Sequence, residues 1–460
     1  MKPVSLVLLM LFLPLGTVRA QSTGADPNRT QWWKEAKFGM FLHWGLYSVA
    51  AGDWKGKPYR GSEHFMLYER IPLREYAKLA ESLNPTRFDA EFWARQARDA
   101  GMKYLVVTTK HHDGFAMYNS PSSPYNIVKA TPFGRDPIRE LADACKKYDL
   151  KLGLYYSLGR DWEDPDVPTH WPTKGGRSNL IDFPDEDAKD FSRYFERKVK
   201  PQIRELLTQY GPVGLLWFDT PELISKAQSQ ELKAMIHSLQ PDCIINNRIG
   251  NDLGDYYVSE QQIAADKEAK LWEACITMSG QWSYSKYDHA WKSSELLVRQ
   301  LVEIVSKGGN FLLNVNPKGD GSLPQPSIER LADIGRWMTV NHEAIYGTHP
   351  WEITSEGVSE ETLGEVIKKD TDNDATSKVI HPDLYFTSNG NNVYVFARSW
   401  TSRKLTVKSL KIGTKSVKSV LLLGAPNKPV WLQNEDGLTI TFPKVRPNSV
   451  PIYVFKLTLE

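Results

Sequence analysis

Cysteine is scarce in this chain. Three occur in 460 residues, Cys145, Cys243 and Cys275, an odd number set far apart. That excludes a disulfide-stapled scaffold and a cysteine-based metal site, which need even counts or close pairs. Cys243 and Cys275 fall in or beside apolar runs and read as buried fillers. Charge of one sign is lacking as well: 57 basic residues face 55 acidic ones, a net charge of +2 with no basic block. An electrostatic nucleic-acid or anionic-membrane partner is therefore not expected. Past residue 20 no apolar run is long enough to read as a membrane span. Nor is there a glycine-rich phosphate cradle, a dinucleotide fingerprint or a serine nucleophile elbow.

Residues 1–20 read as a secretory signal. Lys2 supplies the positive start, 4–15 the apolar stretch, and Val18-Arg19-Ala20 a cleavage pattern before Gln21. No cysteine follows it, so a lipid anchor is not indicated, and the mature chain is expected to be exported, periplasmic or secreted. Asn28-Arg29-Thr30 is a glycosylation triplet, informative only in a eukaryotic source. Aromatic side chains are plentiful, with 15 Trp and 20 Tyr. They fill large cores, and they also line sugar clefts, because the C–H faces of a pyranose pack on aromatic rings.

The segment 213–220 organises the rest. An apolar run from Val213 passes through Trp217 and Phe218 into a single acid, Asp219, just before Thr220-Pro221. A short apolar run of this kind is a buried strand, and in a parallel barrel its C-terminal end opens into the mouth. Further strands are expected at 38–43, 104–110, 152–157, 244–247, 256–259, 272–278 and 311–315, with helices at 73–82, 90–100, 137–148, 187–210 and 293–306. Strands alternating with helices pair in parallel, and eight such units close into a barrel. The expected fold is α/β: a (β/α)8-type (TIM-like) barrel over 21–350, irregular between strands five and seven, where the connections are short. A C-terminal antiparallel β-sandwich over 351–460 follows, read from helix-free strands at 393–399, 404–410, 417–423, 438–442 and 452–457, with a packing role expected for it.

Polar residues end most of the barrel strands: His43, His111 with His112, Tyr156, Asp219, Arg248 and Glu260. One alone would be a structural residue; six at the same end converge on a single mouth. Asp219 and Glu260 suit the paired carboxyl chemistry of glycoside hydrolysis. The histidines admit a metal-dependent hydrolase as a competing reading. Adjacent histidines on one strand point to opposite faces, though, so His111 and His112 reach one mouth only if the turn re-aims one of them. Trp44, Trp217 and Trp282 are candidate walls for a sugar, which favours the glycosidase.

These motifs resemble a known family. FGMFLHWGLYS, KYLVVTTKHHDGFAMYNS, GLYYS, LLWFD and SKGGNFLLNVNPKGDG are similar to the α-L-fucosidases of glycoside hydrolase family 29, from about residue 32 to 351. The resemblance implies an exo-acting, retaining enzyme without a cofactor or metal, acting on α-L-fucosylated glycans or glycoproteins. It places the nucleophile on Asp219 and the sugar pocket on His43, His111, His112, Tyr156, Trp217 and Arg248, with Trp282 beside them. Glu63 stands where the family has a Glu-Trp pair, and His64 replaces that Trp. The acid/base is expected at Glu260, which ends a strand. Glu273, which opens the next strand, is the alternative, and Glu222 a distant third. A non-catalytic, fucose-binding lectin-like barrel is the reading from another class, and an activity assay separates the two.

Overall fold

The computed structural model describes residues 27–59, 61–168, 181–265, 270–357, 359–361, 379–398, 404–443 and 452–460. The expected leader at 1–20 and the middle of the 162–187 insert lie outside the described residues.

Eight strands form one curled sheet: β1 (Phe38–Leu42), β2 (Tyr104–Lys110), β3 (Lys151–Ser157), β4 (Leu215–Asp219), β5 (Ile244–Ile245), β6 (Tyr257–Glu260), β7 (Trp272–Thr277) and β8 (Asn310–Val315). Their order is β5-β4-β3-β2-β1-β8-β7-β6, and every pairing is parallel. The two outer strands meet as well. A parallel bridge joins Asn246 to Tyr256, and the Asp255 N–H donates to the Ile245 carbonyl at 2.6 Å. The barrel is thus closed.

Helices α1 (Ala90–Asp99), α2 (Pro137–Lys147), α3 (Lys200–Gln209), α4 (Lys226–Leu239), α5 (Ser294–Ser306) and α6 (Gln325–Asn341) pack outside it. Several start on side-chain caps that satisfy otherwise unpaired N–H groups. Asp89 caps α1, Asp136 caps α2, Ser225 and Gln228 form a reciprocal box on α4, and Ser293 caps α5. The expected helix at 187–210 is real but broken by a π turn at Phe195–Val199. Pro201, which lacks an N–H, stands just after that turn and cannot close the regular ladder. The expected helix at 73–82 is two single turns, Leu73–Tyr76 and Leu79–Ser82. Among the described residues only a 3-10 turn, Asn247–Ile249, separates β5 from β6, and no helix separates β6 from β7. The barrel is irregular where the short connections predicted it.

The barrel interior is filled by Phe41, Tyr104, Val106, Tyr155, Leu215, Trp217, Ile244, Tyr256, Cys275 and Leu312. The helix Pro27–Ala36 plugs its N-terminal end with Trp33, whose carbonyl accepts from Asn310 Nδ2 at 2.8 Å. With one end plugged, chemistry is confined to the other. After α6, strands His349–Glu356, Leu384–Asn389, Asn392–Ala397, Tyr453–Leu459 and Val417–Leu422 make an antiparallel sheet, and Lys404–Val407, Gly437–Thr441 and Val430–Asn434 a second one. A separate apolar core, including Phe386, Val395, Phe455, Leu438 and Ile440, lies between them. This is the expected sandwich. No helix among the described residues is long and apolar enough to cross a membrane.

Candidate active site

Strand register decides which side chains reach the mouth. β3 and β4 pair Tyr155 with Trp217 and Ser157 with Asp219. Side chains alternate along a strand, so these four share the inner face while Tyr156 and Phe218 point outward. The expectation for Tyr156 is therefore corrected. Its hydroxyl donates to Gln202 at 2.8 Å, outside the barrel. Tyr155 takes the inner place, donating to Asp219 Oδ2 at 2.9 Å and stacking on Trp217 with ring centroids 5.6 Å apart. Sequence reasoning missed Tyr155 because two adjacent tyrosines give no sign of which one faces in until the neighbouring register is fixed.

The adjacent histidines are resolved by a bulge. The β2–β3 register slips between Thr108 and Lys110, turning Lys110 outward onto Asp161 at 3.0 Å and Tyr194 at 2.6 Å. Both histidines lie past the end of the strand, and the turn brings both to the mouth. His111 stacks flat on Tyr155, centroids 5.2 Å apart and planes 8° apart. His112 donates to or accepts from Ser157 Oγ through Nδ1 at 2.6 Å and lies 3.7 Å from Asp219 Oδ2 through Nε2. His43 completes the cluster, with Nδ1 2.7 Å from Asn314 Oδ1. Burial lowers the His43 pKa to about 4. Burial, reinforced by the positive groups around them, takes His111 and His112 well below their usual range. All three rings are neutral near pH 7. His111 Nδ1 is buried with no hydrogen-bond partner among the described residues.

Asp219 is the charged centre. Burial opposes its ionisation, but the Arg248 guanidinium and the Tyr155 hydroxyl outweigh burial, with help from Arg160, and hold its carboxyl below the usual 3.8. Arg248 donates to Asp219 Oδ1 at 2.7 Å and to Glu260 Oε2 at 2.6 Å, so one guanidinium spans both acids. It also lies over the Trp217 ring, 5.0 Å from the centroid. Each acid is followed by a non-glycine residue in the left-handed region, Thr220 at φ 56° and Gln261 at φ 55°. For a β-branched threonine that conformation is costly, about 1–3 kcal/mol. Its return is local: the Thr220 N–H donates to Asp219 Oδ1 at 2.9 Å.

The remaining expected residues separate by depth. Trp217 floors the pocket, and its Nε1–H donates to Glu273 Oε1 at 3.0 Å. Glu273 also accepts from Tyr104 at 2.7 Å and is fully enclosed beneath that floor, where burial pushes its pKa up to about 7. Trp282 lies against His43, centroids 5.0 Å apart, and its carbonyl accepts from Asn314 Nδ2 at 2.7 Å. Trp44 is not a wall. It is wholly buried against Phe88 and Trp93, with its indole N–H on the Lys318 carbonyl. Glu63 is buried near the mouth, accepting from the Ser283 N–H at 3.3 Å, and burial raises its pKa to about 7. Glu222 pairs with Arg160 at 3.3 Å. Among the described residues no group of three or more His, Cys, Asp or Glu side chains is arranged to hold a metal ion.

Such an arrangement can bind a neutral polyol against aromatic rings and present an ionised carboxylate to it. Two family models match the chain: "Alpha-L-fucosidase" over residues 17–343 and "Alpha-L-fucosidase C-terminal domain" over 376–458. The chain belongs to the α-L-fucosidase family. It is therefore a glycoside hydrolase, with the barrel and sandwich of family 29. It is 28% identical to the tissue α-L-fucosidase of Homo sapiens, over 99% of this chain and 98% of that protein. It is similar in structure to α-L-fucosidase isoenzyme 1 from Paenibacillus thiaminolyticus, with TM-score 0.80 and 33% identity, covering 94% of this chain and 99% of that one. An α-L-fucosidase from Lactobacillus casei, solved with α-L-fucose product, is 40% identical with TM-score 0.65, over 68% of this chain and 98% of that one.

Proposed function

We propose that this α-L-fucosidase is an exo-acting, retaining enzyme that removes terminal α-L-fucosyl residues from glycans through a covalent fucosyl-enzyme on Asp219. The observation that carries the reading is the Asp219 carboxylate itself, at the barrel mouth, kept ionised by Arg248, Tyr155 and the Thr220 N–H. Neutral His43, His111 and His112 recognise sugar hydroxyls, and a hydroxyl on His111 Nδ1 pairs an atom that has no partner among the described residues. Asp219 attacks the anomeric carbon while a carboxylic acid protonates the departing glycosidic oxygen. The same acid, now a carboxylate, takes a proton from water, and that water displaces Asp219. No step needs a metal or cofactor. Glu260, which shares Arg248 with Asp219, is the assigned acid/base. Glu273 is sealed under Trp217 and works by fixing that ring.

A second reading has its own observation. Glu63 lies close enough to Glu260 to feel its charge and is held up to about 7 by burial, as a proton donor requires. Azide rescue separates the assignments. Asp219→Gly loses about 10³-fold or more in turnover of an aryl fucoside, and azide restores it as the β-fucosyl azide. Glu260→Ala with azide gives the α-azide. If only Glu63→Ala gives the α-azide, the proton donor is Glu63. A chelator leaves the wild-type rate unchanged.

We further propose export, with the mature chain beginning at Gln21; N-terminal sequencing of the exported protein checks it. A mature chain that still begins at Met1 contradicts it.

A further inference from the structure

The segment 61–70 is built at a cost. Gly61, Ser62 and Arg70 all have left-handed backbone, at φ 87°, 49° and 50°, two of them non-glycine positions where this is strained. Between them run a 3-10 turn, Ser62–His64, and one helical turn, Phe65–Tyr68. Phe65 and Met66 anchor the segment in the core, Phe65 stacking on Tyr59 with centroids 4.1 Å apart. Ser62 Oγ meets Ser283 Oγ at 2.5 Å, tying it to the loop that carries Trp282. His64 and Tyr68, four residues apart, fall on one face of this turn.

That face leads out of the pocket. His112, 3.7 Å from Asp219, stacks on His64 with centroids 5.0 Å apart and planes 19° apart. The Tyr68 ring meets His64 edge-on at 6.4 Å. Tyr68 is 51% exposed, one of two aromatic side chains among the large exposed hydrophobic residues described. The other, Tyr287, is occupied: its hydroxyl donates to Asp53 and Lys286 lies over its ring. The Tyr68 ring lies close over Gly61, where a Cβ would come within 2.1 Å of it. Substituting that glycine would displace the ring.

We propose that Tyr68, backed by His64, is the platform on which the first sugar beyond the scissile bond stacks, so that the preferred substrates are fucosyl oligosaccharides whose leaving group is a pyranose. This rests on the fucosidase reading of the pocket and adds the part of the substrate that the pocket does not hold. A flat ring exposed one aromatic step outside a row of pocket rings is placed for a pyranose C–H face, and the strained turns on either side keep it there.

The test compares a fucosyl disaccharide with α-L-fucosyl fluoride, which has no sugar leaving group. In Tyr68→Ala the ratio of kcat/KM for disaccharide over fluoride falls about 10- to 100-fold. Tyr68→Leu, which keeps the bulk but not the flat face, falls likewise, and Tyr68→Phe keeps the wild-type ratio. An unchanged ratio in Tyr68→Ala and Tyr68→Leu overturns the platform. The fucosidase reading fails separately, if wild-type protein turns over neither compound. A binding arm then still decides the platform: in Asp219→Asn the disaccharide binds more tightly than free fucose, and adding Tyr68→Ala abolishes that advantage. Retention of the advantage overturns it.

Discussion

Arg248 donates to two carboxyl groups at once, and their surroundings differ. Asp219 is braced by three donors, whereas the Glu260 side chain is 42% exposed, which suits the proton donor proposed for it. Glu273 shows the opposite case, a carboxyl held by Tyr104 and Trp217 with no counter-ion among the described residues. Its pKa is about 7 against the ordinary 4.5, through burial. The folded protein therefore keeps a proton that the unfolded chain releases once pH exceeds about 4.5. Its contribution is fully present below that pH and is lost as pH rises through about 7. Glu273→Gln, which cannot ionise, should gain stability relative to wild type across this window. Melting temperatures of the two proteins measured from pH 4.5 to 7 check it, and a constant difference contradicts it. The comparison with Gln isolates this site from Glu63 and Asp113, which are raised in the same way.

On β3, side-chain alternation alone decides which tyrosine reaches the pocket. Tyr155 and Tyr156 are chemically identical, and only strand parity separates a ring in the pocket from one against Gln202. Tyr155→Phe removes a hydrogen bond to a charged acceptor and should lower kcat/KM about 10- to 100-fold. Tyr156→Phe should leave kcat/KM near wild type and lower stability by about 1 kcal/mol. Kinetics and urea unfolding of both variants check this, and equal kinetic losses contradict it. Much was legible beforehand because strand ends are marked in sequence: Asp219, Arg248, Glu260 and both histidines stand where a strand stops. Apolar run lengths were enough to expect eight strands, and the short connections to expect their irregularity. Tyr155, Asn314 and the burial of Trp44 were not legible. Each depends on which face a side chain takes in the closed ring, and the β2 bulge resets that parity midway. The π turn at Phe195–Val199 escaped because it is one wide turn inside a longer helix, too short to disturb the apolar periodicity of the whole segment.

At the scale of the whole molecule, the sandwich is continuous with the barrel. Its first sheet gives Tyr385, Tyr394, Phe396 and Val454, and the adjoining Ile452, to the core between barrel and helices, and Trp337 of α6 donates to the Ile452 carbonyl at 2.9 Å. Trp337→Ala should therefore destabilise both parts together, by about 3–5 kcal/mol. Tryptophan fluorescence and far-UV circular dichroism should report one coincident transition, and two separated transitions contradict the shared core. The proposed covalent fucosyl-enzyme requires one bond, between Asp219 and the anomeric carbon. Incubating the intact protein with a 2-fluoro-fucosyl fluoride, which slows release of the glycosyl-enzyme, and weighing its peptides tests that bond directly. The result predicted is one fluorofucosyl adduct on the peptide carrying Asp219, absent in Asp219→Asn. An adduct on another carboxylate, or turnover with inversion and no adduct, would contradict it.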